Sequence, residues 1–194
     1  MLRKDLKNEV IKAANGDNLR TGVTRKPSRV LINEDARVTK ANVRAKNGVI
    51  HFIDEVLLPP KNLLDTIKGE GRLSTLAAAI KAAELESTFR DMKSDLTIFA
   101  PTNKAFEDLG KNAVDELIKT PEKLKSILLY HAVPGSVLKS ALKGDGSVKT
   151  VQGSNFHYDE KGSKLFINDS EVIEANILAS NGVVHVIDEV LEIP

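Results

Sequence analysis

Four histidines, His51, His131, His157 and His185, are the side chains of this 194-residue sequence best suited to moving a proton or holding a metal near neutral pH. Their spacing supports neither task, because the chain holds no HExxH segment and no short metal-ligand pair. His51 and His185 also occupy the same place in two copies of one segment, NGVIHFIDEVL from Asn47 and NGVVHVIDEVL from Asn181. The carboxylate pairs Asp54-Glu55 and Asp188-Glu189 would point to opposite faces of an extended strand, where they cannot share acid and base work. No GxSxG elbow is present, and Gly135-Ser136 and Gly153-Ser154 lack its flanks. Gly69-Glu70-Gly71 and Gly144-Asp145-Gly146 are too short for phosphate loops and read as turns. With no cysteine, thiolate chemistry and Cys-based zinc sites are excluded. The expectation is a protein without catalysis, cofactor or metal.

Charge offers a binding surface in place of a reaction. Residues 1–46 carry 12 Lys and Arg against 5 Asp and Glu, net +7, although the whole chain is only +1. A near-neutral total argues against a nucleic-acid binder. Arg20, Arg25, Lys26, Arg29 and Arg37 are nonetheless candidates for contact with a glycan or other polyanion, with solvated surface charge as the plainer reading. No apolar run approaches a membrane span, and Met1 to Asp5 leads into a charged segment unlike a secretory signal. No membrane insertion is expected of this chain.

The elements that would carry these residues follow from a repeat. Ala41–Pro60 and Ala175–Pro194 match at an offset of 134, and upstream VLIN ending at Asn33 matches LFIN ending at Asn168 with one residue of slippage. The stretch from Lys61 to His131 has no counterpart ahead of Met1. Residues 1–60 therefore read as the C-terminal part of a unit whose complete copy is 61–194, as in a piece cut from a longer array. Helices are expected over Lys61–Lys68, after Ser74 as N-cap, from Thr102 or Asn103 to Gly110, and from Pro121, whose stripe Leu124, Ile127, Leu128 and His131 is broken by Pro134-Gly135. Short strands follow: VKTVQ, SNFHYD, KLFIND, EVIEAN and GVVHVID. Helices first and strands last predict an α+β domain.

Three segments, TIFAPTNKAF (Thr97–Phe106), LLYHAVPG (Leu128–Gly135) and SNGVVHVIDEVLEIP (Ser180–Pro194), are similar in order and spacing to the signatures of the fasciclin domain family. The resemblance covers 61–194 as one complete domain, and 1–60 resembles the C-terminal half of another. It implies an α+β fold with a β-wedge or sandwich and packed N-terminal helices, extracellular or cell-surface location, tandem repetition, and adhesion to a cell-surface receptor or matrix protein. Homotypic contacts are a further expectation, and the alternative function is a structural spacer or assembly module in which the half-domain pairs with a complementary half of another chain.

The resemblance also supplies candidate adhesion residues. Tyr130-His131 matches a segment linked to integrin-dependent adhesion, though a histidine on the apolar stripe of its helix also suits a buried, hydrogen-bonded role. Asn176-Ile177 stands where related domains carry Asp-Ile, and the first copy has Asn42-Val43 there. An integrin that holds its ligand through a divalent cation needs a charged oxygen, which a neutral amide does not supply. Asn168-Asp169-Ser170 fits the glycosylation sequon. Asp54 and Asp188 are expected to serve a turn or a backbone hydrogen bond.

Overall fold

The computed structural model describes residues 9–14, 18–25, 28–33, 36–57, 61–91, 95–110, 116–117 and 119–193. It divides into two compact units, 1–60 and 61–194.

The first unit is a five-stranded antiparallel meander in sequence order: β1 (Glu9–Lys12), β2 (Asn18–Arg25), β3 (Ser28–Ile32), β4 (Ala36–Ala45) and β5 (Gly48–Ile53). The two-residue turn Lys46-Asn47 folds β5 back on β4 and pairs Ala45 with Gly48. Between β3 and β4, Asn33 takes φ 53, a left-handed conformation that asparagine tolerates better than most residues. β5 lies at the edge of this sheet.

The second unit opens with helices α1 (Leu63–Gly69), α2 (Ser74–Ala82) and α3 (Glu86–Arg90), then β6 (Leu96–Pro101), α4 (Asn103–Asp108), α5 (Pro121–Tyr130) and β7 (Ala132–Pro134). It closes with β8 (Asp145–Lys149), β9 (Asn155–Lys161), β10 (Lys164–Ile167), β11 (Ser170–Ala179) and β12 (Gly182–Ile187). These strands form one sheet in the order β7-β6-β12-β11-β10-β9-β8, with β6 and β12 parallel and the other pairs antiparallel. The run β8 to β12 repeats the order of β1 to β5. Even the irregularities coincide: β4 on β5 and β11 on β12 break register at equivalent places, after Val38 and Lys40 in one and after Val172 and Glu174 in the other. Asn42 and Asn176 take φ 62 and 65 there.

Helices form where the sequence offers caps. Asn62 accepts the amide of Asp65 at 2.9 Å to start α1, and Thr102 accepts that of Ala105 at 3.2 Å to start α4. Ser74, expected as an N-cap, is not one. The 3₁₀ turn Gly71–Leu73 leads straight into α2, so Ser74 is already helical at φ −61, ψ −34. The open amide of Thr75 goes instead to Asn103 Oδ1 at 2.9 Å, while Asn103 Nδ2 donates to Gly71 O and Ser74 Oγ, both at 3.0 Å. The expected strand VKTVQ also stops early, at Lys149, because Thr150 turns back and gives both its amide and its hydroxyl to Ser154 O.

Two apolar clusters hold this unit. In the first, Leu63, Leu64 and Ile67 of α1, Leu76 and Ile80 of α2 and Leu128 of α5 pack with Ile98, Ala100, Val184 and Val186. The second places Phe99 and Ile187 against Tyr130, Phe156, Leu165 and Leu191. β6 and β12 are therefore buried on both faces, and a wholly buried Leu or Ile stabilises the fold by about 2 kcal/mol. This is an α+β unit with its helices packed before and around a central parallel strand pair.

Candidate functional site

The signature residues meet around β6 and β12, and nearly all of their polar atoms face inward. Thr97, fully buried, donates its hydroxyl to Gly135 O and accepts the amide of Val137, each at 2.7 Å, which ties β6 to the end of β7. Asn181 is also fully buried. Its Oδ1 accepts the amide of Leu63 at 2.8 Å, and its Nδ2 donates to Phe89 O at 3.1 Å and Asp91 O at 2.9 Å. One amide side chain thus fastens the start of α1 and the end of α3 to the β11–β12 turn. The local sequence carries no signal of these three distant partners. Asp188 Oδ1 accepts the amide of Glu171 at 2.7 Å and the hydroxyl of Ser170 at 3.1 Å, and Asp54 Oδ1 accepts the amide of Arg37 at 2.6 Å, so both carboxylates hold backbone as expected.

Tyr130 and His131 are each about 1% exposed. Tyr130 donates its hydroxyl to Asn155 O at 3.1 Å and accepts Asn168 Nδ2 at 3.3 Å, and its ring meets Phe156 edge-on. The partners of His131 fix its tautomer: Nδ1 lies 2.9 Å from Ile127 O and must donate, while Nε2 accepts the amide of Leu191 at 2.9 Å. A second proton would face an N–H, and burial reinforces this by pushing the imidazole pKa down to about 4 against a smaller upward pull from the Ile127 carbonyl. His185 shows the mirror arrangement, with Nε2 donating to Val137 O at 2.8 Å and Nδ1 accepting the amide of Asn176 at 3.2 Å. Burial lowers its pKa, the Val137 carbonyl raises it and Lys139 lowers it further. Its ring stacks on Phe99 at 5.2 Å.

The remaining candidates are placed as follows. Asn176 sits at φ 65 on the bulge of β11, half-buried, with Oδ1 accepting the amide of Lys139 at 2.8 Å. Ile177 is half-buried against the first core cluster. The fold thus brings Tyr130-His131 and Asn176-Ile177 to the same scaffold, where they touch backbone and core; neither pair forms an outward patch. Asn168, at φ 52, accepts the amide of His157 at 2.9 Å while its Nδ2, the atom a glycan would modify, is bonded to Tyr130. Among the basic candidates, Arg29 and Arg37 are exposed on β3 and β4, and Arg37 is paired with Asp54 at 3.1 Å. Lys26 and the side chains of Arg20 and Arg25 lie outside the described residues.

Among the described residues no group of three His, Asp or Glu is placed to hold a metal ion, and no buried side-chain nitrogen or oxygen lacks a partner. A cleft of about 740 Å³ opens beside α5, floored by Leu109, Leu117, Ile127, Val190, Leu191 and Ile193. It offers apolar contact, with Glu116, Glu122, Lys123 and Glu192 among the residues lining it. Among the described residues no helix is long and apolar enough to cross a membrane.

Comparison with known proteins gives one consistent picture. The sequence model of the fasciclin domain matches residues 1–59 and 71–194. Human periostin is 32% identical over 186 residues, which cover 94% of this chain and 22% of periostin. The transforming growth factor-beta-induced protein ig-h3 of Sus scrofa is 33% identical over 162 residues, 83% of this chain and 24% of its own length. The chain thus spans less than a quarter of these relatives. Protein sll1483 of Synechocystis is 37% identical over 131 residues, 66% of this chain and 72% of that protein. In structure, the FAS1 domain pair of the insect cell adhesion molecule fasciclin I superposes with a TM-score of 0.65, covering 98% of this chain and 74% of that one at 21% identity.

Proposed function

From the premise that this chain belongs to the fasciclin domain family, we propose that it is a non-catalytic interaction module of a tandem extracellular array, mediating cell-cell or cell-matrix attachment. Residues 61–194 act as a complete domain and 1–60 as the C-terminal part of a second. The observation that carries this reading is the inward commitment of the signature side chains: Thr97, Tyr130, His131, Asn181 and His185 all have their polar atoms bonded within the fold. Such motifs build a scaffold and leave recognition to the outer surface. Weak contacts of single modules gain strength by repetition, since linked sites raise one another's effective concentration.

Tyr130 and His131 accordingly affect adhesion through the fold and not by touching a receptor. Integrin-bearing cells should attach to the immobilised chain, and His131→Gln should reduce attachment only as far as it reduces the folded fraction measured by circular dichroism. Failure of the folded wild type to hold cells would end the adhesion reading; a fully folded variant that has lost attachment would restore His131 as a contact.

A second reading rests on the net charge of +7 in residues 1–46, which suits a polyanion such as a sulfated glycan. Salt-sensitive retention of the chain on heparin, weakened about twofold or more by Arg29→Ala, is the expected result. Retention indifferent to that change removes the reading.

A further inference from the structure

The two units present equivalent strands in opposite states of cover. In β12 every residue is buried, while the equivalent β5 alternates exposed and half-buried. Ile50 and Phe52 are each 50% exposed, whereas their counterparts Val184 and Val186 are fully buried in the core beneath the helices. The other flank of β12 is occupied by the parallel strand β6, Gly182 to Ile187 running beside Leu96 to Pro101. The corresponding flank of β5 is a sheet edge.

The turn residues tell the same story. A Cβ on Gly182 would lie 1.9 Å from Leu96 O, so the close approach of β6 demands glycine there. A Cβ on Gly48 would meet nothing within 4 Å, and its φ lies outside the left-handed range. Nothing among the described residues of the first unit calls for a glycine at 48. Its neighbour Asn47 is exposed, while the equivalent Asn181 is buried and bonded to α1 and α3. Asn47, Gly48, Ile50 and Phe52 thus carry the equipment to receive a helix start, a strand carbonyl and an apolar layer.

We propose that the edge of β5 and its Ile50-Phe52 face form a docking surface for a polypeptide segment of the helix–strand type seen in residues 61–134. Such a segment lays an apolar strand parallel to β5, with a carbonyl against Gly48, presents a helix start to Asn47 and covers Ile50 and Phe52 with a Leu- and Ala-rich helical face. The mode is addition of a strand to an open sheet edge, with main-chain bonds supplying affinity and the apolar layer supplying register. The inference rests on reading residues 1–60 as the C-terminal part of a domain.

The test uses the full 194-residue chain with a synthetic polypeptide of residues 61–134 as probe, read by amide hydrogen exchange. The expected result is at least tenfold slower exchange of Val49–Ile53 and a 1:1 complex, both abolished by Gly48→Val or Ile50→Lys. Neither change should alter exchange in β2–β4 or melting of the second unit. A fusion placing a further copy of residues 61–135 ahead of Met1 should slow the same amides, which keeps the test decisive where the free probe aggregates. Unchanged exchange in β5 with both probe and fusion, or equal protection in the Gly48→Val variant, overturns the proposal. Protection of β5 in the unprobed chain that grows with protein concentration and survives Gly48→Val makes edge-to-edge pairing with a second copy the occupancy and also overturns it. If β2–β4 themselves exchange without protection, the reading of 1–60 as a folded part-domain fails as well; if they are protected and only docking fails, that reading stands.

Discussion

Gly182→Ala is expected to lower the stability of the second unit by about 4 kcal/mol or more, while Gly48→Ala changes the first by less than about 0.5 kcal/mol. The two glycines stand at the same place in the repeat, and composition alone gives no reason to distinguish them. Geometry does. Gly182 has φ 156, a region costly to any residue with a side chain, and an added Cβ would lie 1.9 Å from the backbone oxygen of Leu96 and 3.0 Å from Leu63 Cδ1. Leu96 and Gly182 open the buried parallel pair, and a backbone carbonyl held there cannot swing aside as a long side chain would. β6 must shift, and with it the hydrogen bonds to β7 and the packing of α1. Thermal unfolding followed by circular dichroism should show a loss of roughly 15 °C for Gly182→Ala and almost none for Gly48→Ala. Equal effects at the two positions would mean that β6 does not approach β12 as described.

That contrast also marks what was legible in the sequence. The repeat exposed the equivalence of β4–β5 and β11–β12, since NGV and IDEVL recur at fixed offset, and the order of helices and strands followed from Pro101, Pro121, Pro134-Gly135 and the apolar periods. The backbone-holding role of Asp54 and Asp188 was readable for the same reason: a carboxylate that recurs directly after a strand serves the backbone in both copies. What periodicity could not show was long-range partnership. Asn181 lies 118 positions from Leu63 and about 90 from Phe89 and Asp91, so its three bonds leave no local trace. A strand over GVVHVI was legible, but not that the parallel neighbour β6 and two apolar layers bury both of its faces. Asn176 looked like a lost carboxylate when compared with related domains. In the fold it is a residue that accepts φ 65 at a bulge and caps the amide of Lys139, work that asparagine does without charge. Ser74 was misread because the 3₁₀ turn before it is invisible to a cap rule that assumes an extended residue ahead of the helix.

Lowering the pH from 8 to 4 should remove about 3 kcal/mol of stability from the second unit through His131 alone, with His185 adding in the same direction. The unfolded chain titrates its histidines near the ordinary value of about 6.5. In the folded chain burial holds His131 neutral down to about 4 and also lowers His185. The unfolded state therefore takes up protons first as the pH falls, and by linkage the folded state loses ground over the window from about 6.5 to 4, keeping its full stability above it. The hydrogen bonds agree with this sign. Each ring already donates one N–H to a carbonyl and accepts a backbone amide with its other nitrogen, so a second proton must break the bond to Leu191 in one case and to Asn176 in the other. Urea midpoints at pH 8, 6, 5 and 4 would follow the decline, and His131→Gln separates it from the general loss caused by carboxylate protonation. That variant should be less stable at pH 8, because a glutamine amide cannot reproduce the spacing between Ile127 O and the Leu191 amide, yet its stability should fall less steeply with acid. A parallel decline in the two proteins would show that His131 titrates alike folded and unfolded, and the buried tautomer with its two fixed partners would have to be abandoned. Under the attachment role proposed above, a scaffold that loosens toward pH 5 should release its contacts there together with its secondary structure, not ahead of it.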